Sequence, residues 1–209
     1  MKELRTVKEH KEVEIEEKRS QFIANIFYVE RAQEAMEKIK EIRKKYYDAR
    51  HHCYAYVVQE ETLVKKASDD GEPSGTAGSP ILNVIEKNGL TNVLIVVTRY
   101  FGGILLGAGG LVRAYTGAAT EAIKTSEIVV QEAGLVALVT VAYSEIEKFK
   151  YYCNQNKIRI VKQEYLENVK CEIELTEEEK EKLLEEQKNK EGRITILEFE
   201  EEERKYIRK

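Results

Sequence analysis

The stretch NVLIVVTRYFGGILLGAGG, residues 92–110, decides the fold of this chain. Its first seven residues, 92–98, are so apolar that they predict a central strand covered on both faces. The strand runs into Arg99, Tyr100 and Phe101, which are followed by five glycines. A second glycine-rich segment, DDGEPSGTAG, occupies residues 69–78. Glycine costs roughly 0.5 to 1 kcal/mol relative to alanine in regular structure, so this crowding indicates unusual backbone angles or close approach to bare main chain. We interpret the two segments as one binding site.

Length and composition are those of a folded, two-domain protein. The 209 residues are 42% hydrophobic and 34% charged, with a net charge of −4. A chain of this size holds one large domain or two small ones, and we expect two. The net charge gives no global attraction to phosphate backbones, so a nucleic-acid partner requires a local patch. Neither half of the chain has an excess of basic residues.

The sequence also excludes some classes of protein. It has no apolar run long enough for a membrane helix and no apolar signal core near Met1, which predicts a cytoplasmic protein that does not bind membranes. The cysteines Cys53, Cys153 and Cys171 are widely spaced and form no CxxC pair, so we expect neither disulfides nor a cysteine-built zinc site. No cofactor is implied, and the sequence assigns no oligomeric state.

The first half predicts a mixed α/β domain. Alternating residues predict a hairpin of strands 13–15 and 21–28, with Ser20 in its turn. Apolar residues recurring every three or four positions predict a helix over 31–46 with one buried face. Further strands are expected at 52–59, 62–67 and 92–98. A helix is expected to begin near Pro80 and to end in left-handed geometry at Asn88-Gly89, and an alanine-rich helix is expected over 111–124.

The second half, from a boundary near residues 132–134, predicts the order β-α-β-β-α-β of a ferredoxin-like sandwich. Strands are expected at 135–143, 158–164, 169–175 and 193–200, followed by a solvated tail. Ser144 is expected to cap a helix over 145–156 and Thr176 one over 177–190, with Glu147 and Glu179 at the capping-box positions and Gly192 ending the second helix. We therefore expect domains at 1–133 and 134–209.

The acidic glycine segment carries three carboxylates, those of Asp69, Asp70 and Glu72. Carboxylates so close together could bind a divalent cation or share a proton. The alternative is that Asp69 and Asp70 bond to nearby backbone amides in a turn, and the absence of a spaced series of metal ligands favours this alternative. We assign no metal site.

The second glycine segment combines Arg99 with backbone amides and with Arg113 on the following helix, a combination typical of an anion site. It matches neither a phosphate-binding GxxxxGK[ST] loop nor a dinucleotide fingerprint, so nucleotide hydrolysis is not predicted. Three alternatives stay open: Arg99 could pair with Asp69 or Asp70, Tyr100 and Phe101 could pack rather than stack on a nucleic acid, and the glycines could serve close helix-to-sheet contact.

A catalytic centre is not predicted. His51, His52 and Cys53 are adjacent in a predicted strand, where neighbouring side chains point to opposite faces, so the three cannot converge on one ion. The chain has no GxSxG elbow and no HExxH motif, and we assign no catalytic residue. The candidate site is a binding cleft formed by Asp69, Asp70, Glu72, Ser74, Gly75, Thr76, Arg99, Tyr100, Phe101, Gly102, Gly103, Gly107, Gly110 and Arg113.

With these residues in view, the chain resembles the IMPACT family, specifically its bacterial YigZ-type branch. The resemblance rests on SQFIA at 20–24, HCYA at 52–55, the 69–78 segment with Pro80, and above all RYFGG at 99–103 continuing to GLVRAY at 110–115. It covers nearly the whole chain.

The resemblance implies an N-terminal domain of the ribosomal protein S5 domain 2-like α/β class and a ferredoxin-like C-terminal domain similar to late domains of elongation factor G. Both relatives touch RNA or ribosomes. Eukaryotic members act in translational control through an additional N-terminal domain, so their role toward a stress kinase is not carried over.

Three functional hypotheses follow. The first is a translation-associated, non-enzymatic regulator whose glycine-lined cleft binds RNA, the ribosome or a protein partner. The second is a hydrolase of a small phosphorylated or peptide substrate that uses Asp69, Asp70 or Glu72. The third is an interaction scaffold that uses the C-terminal sheet.

Overall fold

The structure, a computed structural model, describes residues 3–188 and 194–208 and divides into two compact units. One unit is Arg5–Val129, and the other is Val130–Lys209 together with Met1–Leu4. The molecule is a mixed α/β protein of two units, as the sequence predicts. That 1–133 and 134–209 fold as separate domains stays a prediction.

The first unit contains a five-stranded antiparallel sheet in the order β2-β3-β6-β4-β5. Its strands and helices, with the short strand that precedes them, are β1 (Leu4–Val7), β2 (Lys11–Glu17), β3 (Ser20–Tyr28), α1 (Ala32–Lys45), β4 (His51–Gln59), β5 (Leu63–Ser68), α2 (Gly78–Lys87), β6 (Val93–Tyr100) and α3 (Gly107–Lys124).

Strand β6 is the centre of this sheet and is covered on both faces, which confirms the interpretation of residues 92–98. Val93, Ile95 and Val97 belong to one buried cluster, which includes apolar residues of α2 and α3. Leu94 and Val96 belong to a second cluster, on the face covered by α1. Because successive side chains of a strand alternate between faces, an uninterrupted apolar run supplies both layers.

The predicted helices are present, with small differences at their ends. Helix α1 buries the stripe predicted for it through Ala35, Ile39 and Ile42. The end of α2 is left-handed at Gly89, whose φ is 63°, as expected. Helix α3 begins at Gly107 rather than at 111, because Gly109 and Gly110 belong to its first turn.

The turn of the first hairpin differs from the prediction. Ser20 is the first residue of β3, and the turn is formed by Lys18 and Arg19, which both have positive φ, at 47° and 64°. Ser20 is buried in the strand, where its hydroxyl becomes available to neighbouring loops.

The second unit has the predicted ferredoxin-like order. Its elements are β7 (Ile128–Val141), α4 (Ile146–Gln155), β8 (Arg159–Tyr165), β9 (Val169–Leu175), α5 (Glu177–Lys188) and β10 (Glu198–Arg208). The ferredoxin-like strands lie in the antiparallel order β10-β7-β9-β8, and β1 is a further neighbour of β7. The core of the unit is formed by side chains such as Val139, Phe149, Cys171, Ile173 and Leu175.

The capping predictions had different outcomes. The box at α5 is confirmed: the Thr176 N–H donates to Glu179 Oε2 at 2.7 Å, and the Glu179 N–H donates to Thr176 Oγ1 at 3.2 Å. The cap at Ser144 is wrong. A turn from Ala142 to Glu145, closed by a 2.9 Å backbone bond, makes Glu145 the N-cap of α4.

The last strand is also placed differently. Strand β10 spans Glu198–Arg208, whereas the prediction was 193–200 followed by a solvated tail. It pairs with the long strand β7 from Glu198 opposite Thr140 to Arg208 opposite Gln131. The strand therefore extends beyond residue 200 because β7 supplies hydrogen-bonding partners along its whole length. The expected helix end at Gly192 and strand start at Arg193 lie outside the described residues. Among the described residues, no helix combines the length and the apolar character needed to cross a membrane.

Gly102→Ala should strongly destabilise the protein. An added Cβ would lie 2.0 Å from both the C and O atoms of Arg19, so main chain would have to move. We expect a loss of at least about 2 kcal/mol in the free energy of unfolding, measured in urea. The matched control is Gly109→Ala, whose Cβ would meet Arg113 Nη1 at 3.7 Å in a helix and should stabilise by up to about 1 kcal/mol. Equal effects of the two substitutions would contradict this account.

Candidate functional site

The site forms where β3, β6 and β4 end side by side. Arg99, next to last in β6, is opposite Phe22 of β3 and His51 of β4. It lies on the same side of the strand as Val93, Ile95 and Val97, the side that faces α2 and α3. The strand register therefore places an arginine at the edge of an apolar layer.

Arg99 is buried and ion-paired with Glu72. Its Nη1 donates to Glu72 Oε1 at 2.7 Å, and both side chains are less than a tenth exposed. The alternative in which Arg99 pairs with Asp69 or Asp70 is wrong, but an ion pair does join the two loops. A buried charge without a counter-charge is costly, so this pair fixes the loop at 69–78 to the end of β6.

Tyr115 of α3 and Cys53 of β4 extend the network. The Tyr115 hydroxyl donates to Glu72 Oε1 at 2.8 Å, and the Cys53 thiol lies 2.9 Å from the Asp69 carbonyl and 3.3 Å from the Tyr115 hydroxyl. Burial raises the pKa of the Cys53 thiol to about 12 and also raises the pKa of Tyr115. Both groups therefore stay protonated at neutral pH and act as structural hydrogen-bonding groups.

Asp69 organises the acidic loop around its own carboxylate. The N–H groups of Gly75, Ala77 and Gly78 donate to its two oxygens at 2.8 to 3.0 Å. Partial burial pushes the pKa of Asp69 upward, but these N–H groups together lower it below its usual value. The turn interpretation of Asp69 is confirmed.

Asp70 holds the loop to β4 and α1. Its side chain accepts a 2.7 Å bond from the His52 N–H and forms an ion pair with Arg43. Its carbonyl accepts a bond from Nδ1 of His51 at 2.9 Å, and its φ of 42° is left-handed. The Nε2 of His52 donates to the Tyr46 carbonyl at 3.1 Å, its Nδ1 lies 3.8 Å from Asp70 Oδ2, and burial lowers its pKa. The two histidines do not converge on a common ligand position.

The three carboxylates are thus committed to structural bonds. Asp69 is surrounded by backbone amides, Asp70 is bound to Arg43 and main chain, and Glu72 is shared by Arg99 and Tyr115. A catalytic acid, base or metal ligand needs lone pairs directed at a substrate or ion. The arrangement does not favour the hydrolase hypothesis.

The aromatic residues after Arg99 have different roles. The Arg99 guanidinium lies 5.5 Å from the Phe22 ring centroid and 5.7 Å from that of Phe101, so Phe101 covers it from outside while 56% of the residue stays exposed. The Tyr100 hydroxyl donates to Asp48 at 2.7 Å, and this bond raises the pKa of Tyr100 to about 12. Phe101 is the ring that a ligand can reach.

The glycines of the site serve two purposes. Gly102 and Gly78 allow close main-chain packing, because an added Cβ would lie 2.0 Å from Arg19 and 2.6 Å from Ser68. Gly75, Gly103 and Gly107 have positive φ and open space where a Cβ would point. Packing therefore explains the first two glycines, and backbone angle explains the other three.

The remaining predicted residues differ in burial. Thr76 is buried, and its hydroxyl donates to the Pro73 carbonyl at 2.7 Å, whereas Ser74 is exposed. Gly110 is buried against Leu106, whose Cβ lies 3.1 Å from the position of an added Cβ. Arg113 is exposed in the second turn of α3, and it has no ion-pair partner within residues 3–188 and 194–208.

Sequence reasoning missed three exposed cations in segments that adjoin the site. Lys18 and Arg19 form the β2–β3 turn, which packs against Gly102, and Arg50 precedes His51, the partner of Arg99 in the register. All three are exposed, and none has an ion-pair partner in the described part of the chain. We group these three with Arg113 and Phe101 under the name basic-aromatic rim. The strand register places the β2–β3 turn and Arg50 at the end of β6, and no local sequence pattern marks this.

Exposed apolar residues flank this rim. Ile104, Leu105 and Val112 are exposed between or beside the glycines, and Leu105 is 84% exposed. Since large exposed apolar side chains that cluster on a surface mark interaction sites, this end of the first unit is a candidate contact surface.

The buried ion pair should behave as a coupled unit in unfolding experiments. Glu72→Gln leaves Arg99 buried without a counter-charge, and we expect a loss of about 3 to 5 kcal/mol in urea unfolding. The double variant Glu72→Gln with Arg99→Met should lose less than the sum of the two single variants. Lys65→Ala, which breaks an exposed pair with Glu86, is the control and should cost less than about 1 kcal/mol. Strict additivity would contradict the proposed coupling.

Stability should fall in alkaline solution because of the thiols. Burial raises the pKa of Cys53 and of Cys153 to about 12 and also raises that of Cys171. The unfolded chain releases these protons at lower pH, so their contribution is complete below about pH 9 and is lost as the pH rises toward 12. Urea unfolding at increasing pH measures the decline, and Cys53→Ala should make it shallower. A profile unchanged by Cys53→Ala would count against a raised pKa at this thiol.

Comparison with known proteins identifies the family. A sequence profile described as the Impact N-terminal domain matches residues 18–123, and one described as a domain of unknown function, DUF1949, matches residues 139–186. The chain is 41% identical over 174 residues to the IMPACT family member YvyE of Bacillus subtilis, which covers 83% of this chain and 80% of that protein. It is 41% identical over 109 residues to YigZ of Escherichia coli, covering 51% of this chain and 53% of that protein.

One solved structure supports the same assignment along the whole chain. A crystal structure described as that of a hypothetical protein has a TM-score of 0.64 and 30% sequence identity, and it covers 97% of this chain and 100% of that chain. The profile on the first unit, the 80% coverage of a relative at 41% identity and the two-unit fold agree with one another. This protein therefore belongs to the IMPACT family.

Proposed function

We propose that this IMPACT family protein binds single-stranded RNA through the basic-aromatic rim and acts in the cytoplasm as a regulator of translation, in association with the ribosome. The observation that carries the proposal is the coincidence of four exposed cations with an exposed ring. Lys18, Arg19, Arg50 and Arg113 are exposed in the segments that contribute to the site, as is the ring of Phe101, and no ion pair among the described residues includes these cations. Cations supply contacts to phosphates, and an aromatic ring supplies stacking for a base of any identity.

The local charge supports this partner although the whole chain is acidic. Of the nearby carboxylates, Glu72 is buried with Arg99 and Asp70 is paired with Arg43. Asp48 accepts a bond from Tyr100, while Glu17 precedes Lys18 and is exposed. The positive charges therefore face solvent, while two of these four carboxylates are paired with arginines within the molecule. A local patch of this kind attracts a polyanion in spite of a net charge of −4.

The framework behind the rim supports a preformed surface. Gly102 donates its N–H to Ser20 Oγ at 3.2 Å. The β2–β3 turn at Arg19 and the loop at Gly102 pack main chain against main chain, with no room for a side chain between them. The Arg99 guanidinium, held by Glu72, lies behind Phe101. A ring held in place loses little entropy on binding, which favours affinity.

The translational role rests on family membership. The chain belongs to the IMPACT family, and its sequence resemblance implies domains related to ribosomal protein S5 and elongation factor G. A protein partner is the competing occupant of the same surface, because Ile104 and Leu105 are exposed beside the rim. The experiment below distinguishes the two.

RNA binding should depend on Arg113 and Phe101. We expect saturable binding of a labelled oligouridylate of about 12 nucleotides, followed by fluorescence anisotropy at several salt concentrations. Arg113→Ala should weaken binding and reduce the slope of log K against log salt by about 0.7 to 1. Phe101→Ala should weaken binding by about 1 to 3 kcal/mol.

The control is Lys66→Ala, which removes an exposed lysine of β5 outside the rim and should leave binding unchanged. Thermal unfolding of each variant separates loss of binding from loss of fold. Absence of binding at low salt, an equal effect of Lys66→Ala, or crosslinking of the rim in cells to protein alone would reject RNA as the ligand.

A further inference from the structure

A groove in the second unit lies outside the site described above. It runs between α4 and α5, has a volume of about 840 Å³, and is lined by residues of these two helices. Two tyrosines form its aromatic part: Tyr151, which is 62% exposed, and Tyr152, which is half-buried. Volumes of this order accommodate ligands or side chains of a partner, and exposed tyrosines are frequent at protein interfaces.

The lysines in the lining are already neutralised. Lys148 Nζ is 3.0 Å from Glu145, and Lys182 Nζ is 2.6 Å from Glu178. Neither glutamate belongs to the lining, so both lysines direct their charges toward carboxylates at the margins. Their aliphatic stems remain available as apolar surface along the groove.

The carboxylates of the lining outnumber its available cations. Glu147, Glu185 and Glu186 belong to the lining, and Glu147 is bonded to Lys150 at 3.0 Å. Glu185 is exposed and has no ion-pair partner in the described ranges. The α5 helix as a whole adds to this charge, because its sequence EEEKEKLLEEQK holds six glutamates and three lysines. The groove is therefore an aromatic surface within a negative electrostatic field.

We propose that this groove docks a basic amphipathic helix of a partner protein. Charge complementarity selects the occupant: lysine or arginine heads pair with Glu185 in the negative field of α5, while the apolar face lies on Tyr151 and Tyr152. Cations can also lie over the tyrosine rings, which attract them through the ring quadrupole. A helix suits a groove between two helices because its side chains follow a straight apolar stripe.

This docking surface is separate from the basic-aromatic rim in position and in charge. All its residues lie between 147 and 186, in the unit of Val130–Lys209. RNA would be repelled by the same carboxylates that attract a cationic helix. Substitutions in the groove should therefore leave oligouridylate binding unchanged, so that the two proposals can fail independently.

The first test uses the full chain and a synthetic helical peptide of lysine, leucine and alanine, about 18 residues long, with lysines on one face. We expect saturable binding by the wild type, measured by calorimetry, and no binding of the matched peptide in which glutamate replaces lysine. Glu185→Lys should weaken binding of the lysine peptide about fivefold or more. The control Glu181→Lys makes the same charge change on α5 at a residue that does not line the groove.

The second test places p-benzoylphenylalanine at Tyr151 in the producing cell and identifies the crosslinked segments by mass spectrometry. We expect a protein segment with helical periodicity and a positive net charge. The proposal is overturned if the lysine peptide does not saturate, if both peptides bind equally, or if Glu181→Lys weakens binding as much as Glu185→Lys. Crosslinks confined to nucleic acid or to acidic segments would also overturn it.

Discussion

The buried pair of Arg99 and Glu72 is the interaction on which the functional end of the first unit depends. It joins the end of the central strand to the acidic loop, and Tyr115 ties both to α3 through the same carboxylate oxygen. Charges withdrawn from water in this way contribute little net energy relative to a hydrophobic pair, but the loss of one partner is severe. The pair therefore acts mainly as a constraint on geometry, because the two buried charges are satisfied in only one arrangement of the loops.

This constraint separates the charges of the region. The carboxylates of Asp69, Asp70 and Glu72 are directed into the molecule, toward amides and arginines, whereas Arg113 and the turn cations are left in solvent. An acidic protein thereby exposes several cations at the end of this sheet. The same sequence feature that first suggested an acid-base or metal centre supports the loops behind the proposed contact surface, because hydrogen bonding consumes the lone pairs that chemistry would need.

Sequence reasoning succeeded where the determinants are local. The apolar run at 92–98 identified the central strand, since burial on both faces favours consecutive apolar residues, and Thr176 with Glu179 identified a cap that involves four adjacent residues. It failed where strands far apart in sequence pair with each other. The length of β10 depends on the length of β7, which the pattern in residues 193–208 does not reveal. The cap at Ser144 failed because a preceding turn moved the helix start by one residue.

The sequence predicted which segments form the site, but it predicted only part of how their side chains pair. Both glycine segments meet as expected, but which of three carboxylates reaches Arg99 depends on the left-handed backbone at Asp70 and Gly71, an angle that composition does not specify. The cations Lys18, Arg19 and Arg50 were missed because the register of β3, β6 and β4 assembles them from segments distant in sequence.

The contact between Gly102 and the main chain of Arg19 has a consequence for how this surface can change over time. Because the hairpin and the loop touch backbone to backbone, an insertion or deletion in either one would displace the other. Variation in chain length among related proteins should therefore accumulate in other connections, while this end of the sheet diversifies only by exchanging side chains.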